Sequence, residues 1–172
     1  MYEFEGKRPS IGEETYVSES ADVIGDVTIG DNCYIGPGAR IKGDYGKVRI
    51  GNESNVQENC VIHARPGELC VIGNGCSIGH GAVLHNCTIK ERAKVGMAAV
   101  ISDYAVVGED CIIGEGCVVK QYQEIPPGSI AVGVPARVVG KVTRNRLAER
   151  DKYRNVYPDL AKRYLTGLKR VE

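Results

Sequence analysis

Aliphatic residues recur at every sixth position along most of this chain. Two long runs show the spacing without interruption: Ile11, Val17, Val23, Ile29, Ile35 and Ile41, then Ile89, Val95, Ile101, Val107, Ile113, Val119 and Ile125. Two short runs in shifted registers lie between them: Ile50, Val56 and Ile62, then Ile72, Ile78 and Leu84. A six-residue period, with an inward aliphatic residue and a turn after each short strand, is typical of a parallel β-helix. The pattern therefore predicts nineteen units of one solenoid.

Composition supports strands and turns over residues 1–140. The chain has 36 Val and Ile residues among its 172, against six Leu and no Trp, and 21 of its 22 glycines lie in this part. β-branched residues punctuated by glycine favour strands. We therefore predict a β-helix domain over residues 1–140 and a separate segment over residues 141–172.

The C-terminal segment differs from the body in charge as well as in pattern. Residues 141–172 carry 10 basic and 4 acidic side chains, whereas residues 1–140 carry 12 and 18. Leu160, Tyr164 and Leu168 recur at helical spacing, so we expect helices over residues 142–155 and 158–170. The basic surface of these helices is either solvated or docked on the acidic body, and the sequence leaves both alternatives open.

Charge and hydropathy exclude two classes of partner. The formal net charge is zero, which argues against nucleic-acid binding. No apolar run approaches the roughly 18 residues that would span a bilayer, and the first ten residues lack the apolar region of a signal peptide. We therefore expect a cytoplasmic protein with no membrane or nucleic-acid partner.

Over about residues 8–135 the chain resembles the hexapeptide-repeat proteins. The resemblance implies an all-β solenoid, a left-handed parallel β-helix with three units in each triangular coil. Nineteen units would make about six coils, stacked about 4.8 Å apart like neighbouring strands of any sheet and followed by a C-terminal α-helix.

The seven cysteines follow the same repeat. Each stands two residues before a repeat aliphatic residue: Cys33, Cys60, Cys70, Cys76, Cys87, Cys111 and Cys117. Alternation along a strand turns residues two apart to the same face, so these side chains should point inward. A zinc cluster would need cysteines that converge on one point, whereas these are spread over many coils. We predict seven buried free thiols, which suit a reducing cytoplasm.

The three histidines all fall within 23 residues. With three units in each coil, Lys42, His63 and His85 should form one column on neighbouring coils, close enough for two imidazoles to bind one metal ion. His80 belongs to another face and could join them only from a neighbouring subunit of a threefold oligomer, together with Gln57. The alternative is that the histidines merely lie on the surface.

Two longer steps in the repeat adjoin the histidine column. Residues 43–46 follow Lys42, and residues 64–68 follow His63. Loops inserted in a solenoid often build its binding site. We therefore expect both insertions to be loops beside the column.

The residues from Asn55 to His63, with His80 and His85 at their spacing, resemble the gamma-class carbonic anhydrases and their bacterial relatives. The resemblance implies a homotrimer with zinc, or with iron or cobalt in its place. His63 and His85 of one chain and His80 of another would be the metal ligands.

The same resemblance implies four further site residues. Lys42 and Asp44 occupy the places of an arginine and an aspartate that form a conserved family motif, and Gln57 lies where a glutamine approaches the metal-bound water. Tyr157 matches a tyrosine that many relatives place near the metal.

Three positions depart from the family pattern. Lysine replaces arginine at 42 and loses the two-point hold on a carboxylate, and Glu58 replaces an aspartate. Pro66 stands where well-known members carry a glutamate that shuttles protons, and Glu68 is the nearby substitute.

These features predict a metal-dependent lyase that hydrates carbon dioxide reversibly to bicarbonate. A zinc ion held by three neutral histidines keeps an open position for water. Two alternatives remain open: a hexapeptide-repeat acyltransferase that uses acyl-coenzyme A with one histidine as general base, and a non-catalytic trimeric scaffold stabilised by metal.

Overall fold

The computed structural model describes residues 1–153 and 155–171, and it forms a left-handed parallel β-helix of about seven turns followed by two α-helices. Nineteen strands, numbered in chain order, make up the three faces of the solenoid. The first face contains β1 (Ser10–Ile11), β8 (Leu69–Ile72), β11 (Thr88–Ile89), β14 (Val106–Val107) and β17 (Glu124–Ile125). The second face contains β2 (Tyr16–Val17), β4 (Tyr34–Ile35), β6 (Asn55–Val56), β9 (Ser77–Ile78), β12 (Lys94–Val95), β15 (Ile112–Ile113), β18 (Ser129–Val132) and β19 (Arg137–Lys141). The third face contains β7 (Val61–His63), β10 (Val83–His85), β13 (Val100–Ile101) and β16 (Val118–Val119).

Two long strands, β3 (Asp22–Ile29) and β5 (Arg40–Ile50), pass from the third face to the first without a break. They pair in parallel on both sides of a bulge, where Gly25 lies opposite Gly43 and Val27 lies opposite Val48. The prediction of a loop over residues 43–46 is therefore wrong, because these residues extend β5. Residues 64–68 do form a turn-containing loop between β7 and β8.

The repeat aliphatic residues line one continuous core. Seventeen of the nineteen are buried in it, and Ile11 and Val17 at the open N-terminal end pack against it partly buried. The predicted six coils become about seven because Ala131 pairs with Ile113 and continues the stack. Alanine is not β-branched, so the sequence pattern ended at Ile125.

All seven cysteines are free and buried, as predicted. Burial raises the pKa of the Cys33 and Cys60 thiols to about 11 and that of Cys76 to about 12. These thiols remain protonated near neutral pH, so they behave as small apolar groups.

The tail contains α1 (Arg144–Lys152) and α2 (Val156–Gly167). The first helix begins two residues after the predicted 142, because β19 continues to Lys141 and the Val142 amide donates to the Gly128 carbonyl. Arg154, within the predicted 142–155 helix, and Glu172, the end of the predicted segment, lie outside the described residues. The second helix begins two residues before the predicted 158, since a proline is tolerated in a first turn.

The second helix packs on the second face through aromatic side chains. Tyr164 meets the ring of Tyr16 edge-on at 5.0 Å, and Tyr157 lies 5.3 Å from the ring of Tyr34. One tail lysine also pairs with the acidic body, Lys162 Nζ to Glu14 Oε2 at 2.9 Å. Because that pair is exposed, the aromatic contacts carry the docking.

Neither α1 nor α2 is long and apolar enough to cross a membrane, a statement that covers residues 1–153 and 155–171.

Serine substitutions should distinguish inward cysteines that have a carbonyl acceptor nearby from inward cysteines that have none. Cys117 has no hydrogen bond from its thiol within the described part of the chain, so Cys117→Ser should cost about 1–3 kcal/mol of unfolding free energy. Cys76→Ser should cost less, because Cys76 Sγ lies 3.1 Å from the Lys90 carbonyl, an acceptor for a hydroxyl. Ser54 already donates to the Gly73 carbonyl in the same column. Urea unfolding of the two variants measures the difference, and equal losses would contradict this account.

Candidate functional site

The histidine column lies where the repeat places it. Lys42 on β5 pairs with His63 on β7, and His63 pairs with His85 on β10 in the parallel register of the third face. The ring centroids of the two histidines are 5.3 Å apart. Hydrogen bonds between coils fix this alignment, because a slip of one residue would turn every inward aliphatic residue outward.

His80 lies on a different edge of the solenoid, directly after β9 and Gly79. Its rung is the one above Glu58, since Val56 pairs with Ile78. Within residues 1–153 and 155–171, no three His, Cys, Asp or Glu side chains of one chain converge as a metal site. One chain therefore holds His63 and His85 together and carries His80 elsewhere.

Each histidine contacts one carboxylate. The nearest nitrogen-to-oxygen distances are 2.8 Å for His63 Nε2 to Asp44 Oδ1, 2.5 Å for His80 Nδ1 to Glu58 Oε2, and 2.5 Å for His85 Nδ1 to Asp103 Oδ1. Histidines that bind metals usually donate their second ring N–H to a carboxylate or a carbonyl, which fixes the tautomer and the ring orientation. Among residues 1–153 and 155–171, nothing contacts Nε2 of His80 or His85, whereas Asp44 occupies Nε2 of His63.

Asp44 is held from two sides. Lys42 Nζ donates to Oδ2 at 2.8 Å, while His63 approaches Oδ1. Burial alone would raise the pKa of Asp44, but the hydrogen bonds from Lys42 and His63 outweigh it and lower this pKa to about 2. The lysine thus keeps the carboxylate ionised with one contact, and the histidine supplies the second.

Gln57 is buried at the second face and does not meet the histidine column of its own chain. Its Nε2 donates to Asn55 Oδ1 at 3.0 Å and lies 3.3 Å from Ser77 Oγ, while the Ser77 hydroxyl donates to the same Asn55 oxygen. These contacts fix the amide, and Oε1 is the end left to accept a hydrogen bond.

Tyr157 contacts Tyr34 and lies near Glu58, the carboxylate beside His80, on the second-face side of the solenoid. Burial, and then the nearby Glu58 carboxylate, raises the pKa of Tyr157. Together with Asn55 and Ser77 its side chain lines a cavity of about 480 Å³ between the second face and the tail. The structure therefore divides the predicted residues into two groups: Lys42, Asp44, His63 and His85 on one side, and Gln57, His80 and Tyr157 on the other.

Comparison with known proteins places the chain. The family model described as "GMPPB C-terminal domain" matches residues 44–144, and "Bacterial transferase hexapeptide (six repeats)" matches residues 8–43. This chain belongs to the hexapeptide-repeat family.

Individual hexapeptide-repeat relatives have different names. The chain is 45% identical over 137 residues to a "Probable carbonic anhydrase" of Methanocaldococcus jannaschii, covering 80% of this chain and 86% of that one. It is 39% identical over 167 residues to the "Carnitine operon protein CaiE" of Salmonella typhimurium, covering 97% and 84%. A crystal structure of a "putative acetyltransferase" from Bacillus cereus is 32% identical, covers 95% of both chains and gives a TM-score of 0.92. The resemblance to the hexapeptide-repeat family, inferred from the six-residue repeat, is confirmed.

Sequence reasoning missed Asp103 and Arg65. Asp103 contacts His85, and its other carboxylate oxygen accepts from Arg65 Nε at 3.1 Å. A signal was available, because Ile101 pairs with Leu84, which places Ser102 above His85 and Asp103 at the next position. Continuing the histidine column by one coil of this hexapeptide repeat would have found the carboxylate.

The donor chemistry of these residues fits zinc. Neutral imidazole nitrogen is a preferred zinc donor, and two such rings lie on adjacent rungs of one face. His63 and His85 would supply two ligands from one chain, and the third would be His80 of the partner subunit. For His63 to bind through Nε2, the Asp44 carboxylate would have to release that atom.

Removing the lysine should change the titration of Asp44. In metal-free protein, Lys42→Ala should raise the pKa of Asp44 from about 2 towards the usual range of an aspartate, because the ammonium that favours the charged form is lost. Carboxyl carbon NMR measures this pKa. Lys47→Ala is the control, since Lys47 is exposed on the same strand. An unchanged Asp44 titration in Lys42→Ala would show that Lys42 does not stabilise the ionised carboxylate.

Proposed function

We propose that this hexapeptide-repeat protein is a metal-dependent hydratase of the carbonic anhydrase type, which converts carbon dioxide to bicarbonate at zinc held between subunits. The observation that carries the proposal is the pair of stacked imidazoles, His63 and His85, 5.3 Å apart on one face. His80, on another edge of the solenoid, contacts a carboxylate of its own, as His63 and His85 do. The 45% identity to a probable carbonic anhydrase supports the same reading.

A cyclic trimer would unite the two groups of site residues. The third face exposes apolar side chains beside the histidine column, Val61 and Val83, and the rung above His80 exposes Met97. Packing one face of a chain against a different face of the next generates a ring when the rotation closes. Each of three interfaces would then hold one complete ligand set.

In the proposed reaction the residues of the chain orient the attacking water. Zinc bound in such a site supplies the Lewis acidity that makes hydroxide available near pH 7. Gln57 would accept a hydrogen bond from the attacking water at Oε1, because its Nε2 is already engaged. Asp44, kept anionic by Lys42, would hold the site together and accept a hydrogen bond from that water, and the released proton would leave to solvent.

Mixed trimers test whether the site is shared. His80→Ala and the double variant His63→Ala, His85→Ala should each lose zinc. When the two proteins are unfolded and refolded together in equal amounts, about a quarter of the wild-type zinc content should return, because one interface of every mixed trimer is complete. Metal analysis and light scattering measure the outcome. No recovery in mixed trimers, or a wild-type monomer that holds one zinc per chain, would overturn the shared site.

Arginine at position 42 should raise the hydration activity by a few-fold, on the order of 2- to 10-fold. A guanidinium can bind both oxygens of Asp44, which would release His63 Nε2 from its present contact. Lys47→Arg on the same strand is the matched control. If wild type and Lys42→Arg both carry full zinc and neither hydrates carbon dioxide, the hydratase proposal is wrong, and the metal serves another substrate or the assembly.

Acyl transfer is the second candidate, and the Bacillus cereus relative titled a putative acetyltransferase favours it. That reaction needs an acyl-coenzyme A donor, with one histidine as general base. Calorimetry with coenzyme A distinguishes the two functions, because binding without zinc supports transfer and zinc without coenzyme A binding supports hydration.

A further inference from the structure

The carboxylate that orients His80 is itself held by a buried tyrosine. The Tyr34 hydroxyl donates to Glu58 Oε1 at 2.8 Å, and Glu58 Oε2 lies 2.5 Å from His80 Nδ1. Glu58 Oε2 is buried and makes no hydrogen bond within the described part of the chain, and His80 Nδ1 is the polar atom that faces it, in an ion-pair contact. The side chain of Glu58 thus forms a bridge between Tyr34 and His80.

A glycine leaves the space for this bridge. A Cβ atom on Gly36 would come within 3.1 Å of Glu58 Oε1 and 3.0 Å of the Glu58 backbone nitrogen. The carboxylate therefore occupies room that any other residue at position 36 would partly fill. An aspartate at 58 would be one methylene shorter and could not meet both partners.

Tyr34 is fixed in turn by the C-terminal helix. It is 1% exposed, and its ring lies 5.3 Å from Tyr157 and 5.8 Å from Tyr164 on α2, and 5.7 Å from Tyr16 on β2. Two ring contacts therefore join α2 to Tyr34, and Tyr34 is joined through Glu58 to His80.

We propose that Tyr34 is a positioning residue that, through Glu58, holds His80 as the Nδ1–H tautomer and turns its Nε2 outward. The inference rests on the proposed function in so far as Nε2 is taken to bind the metal of the partner subunit. A carboxylate fixed on one side by a hydroxyl can accept a hydrogen bond from Nδ1–H on the other, which keeps the proton on Nδ1 and the lone pair on Nε2. The second helix thereby acts on a ligand position that it does not touch.

Two conservative variants and a matched control test the relay. Tyr34→Phe removes only the hydroxyl, and Glu58→Gln removes the charge at constant length. Tyr16→Phe removes a hydroxyl from the same aromatic cluster, and within the described residues that hydroxyl does not contact Glu58. Melting temperatures of all three verify that the fold is intact.

The first measurement uses metal-free protein. Nitrogen NMR of the imidazole should show one His80 tautomer in wild type and in Tyr16→Phe, and a mixture of tautomers in Tyr34→Phe and Glu58→Gln. An unchanged His80 spectrum in Tyr34→Phe would overturn the relay, whether or not the protein binds zinc.

The second measurement is zinc affinity, by competition with a chelator. Tyr34→Phe should weaken binding about 10-fold and Tyr16→Phe should leave it unchanged, since loss of outer contacts to a ligand commonly costs 10–100-fold. Equal zinc affinities of Tyr34→Phe and Tyr16→Phe would show that Tyr34 does not support metal binding by His80. A wild type that binds no zinc would refute the proposed function, and the NMR result would still decide the relay.

Discussion

The register between coils is the constraint on which the rest of this molecule depends. Each inward aliphatic residue stacks on the one below it, and a slip of a single residue would expose the whole stack to water. Burial of the core therefore determines which outward side chains are neighbours. Lys42, His63 and His85 align for this reason and not because they attract one another, since imidazole rings have no strong mutual preference. The geometry of the candidate site is a consequence of packing on the opposite side of the same strands.

That dependence explains which features could be predicted from sequence. Strand faces, inward cysteines and the histidine column all follow from a period of six, which is visible in the residues themselves. The seventh turn was missed because Ala131 fills an inward position without a β-branched side chain. Residues 43–46 were expected to loop out, yet β5 stays paired with β3 beyond a bulge, and such pairing depends on a distant strand. Asp103 was missed although the period places it one coil above His85 and one position further along, because the column was followed only as far as His85.

Charge around the histidines follows one rule in three places. Every carboxylate that contacts a histidine also accepts a hydrogen bond from a second donor, which fixes the direction of the carboxylate. The three sets are Lys42–Asp44–His63, Arg65–Asp103–His85 and Tyr34–Glu58–His80. Two of these second donors, Lys42 and Arg65, are cations on the third-face side. The remaining donor, Tyr34, is a phenol buried under the C-terminal helix. An ammonium or guanidinium at the surface can exchange with water and salt, whereas a buried hydroxyl keeps its partner as long as the helix remains docked.

The two groups of site residues lie on different faces of a stiff solenoid, and no hinge in the described chain could bring them together. Coils joined by continuous hydrogen bonds do not twist by the third of a turn that such a movement would need. If one reaction centre uses both groups, it must therefore form between copies, with unlike surfaces in contact. Unlike surfaces that repeat from copy to copy either close into a ring or grow into an open fibre. Three copies close into a ring when each copy is rotated by one third of a circle relative to its neighbour. The faces of a triangular cross-section already differ in direction by this angle. The shape that the six-residue repeat imposes on one chain thus favours the symmetry that would complete the site.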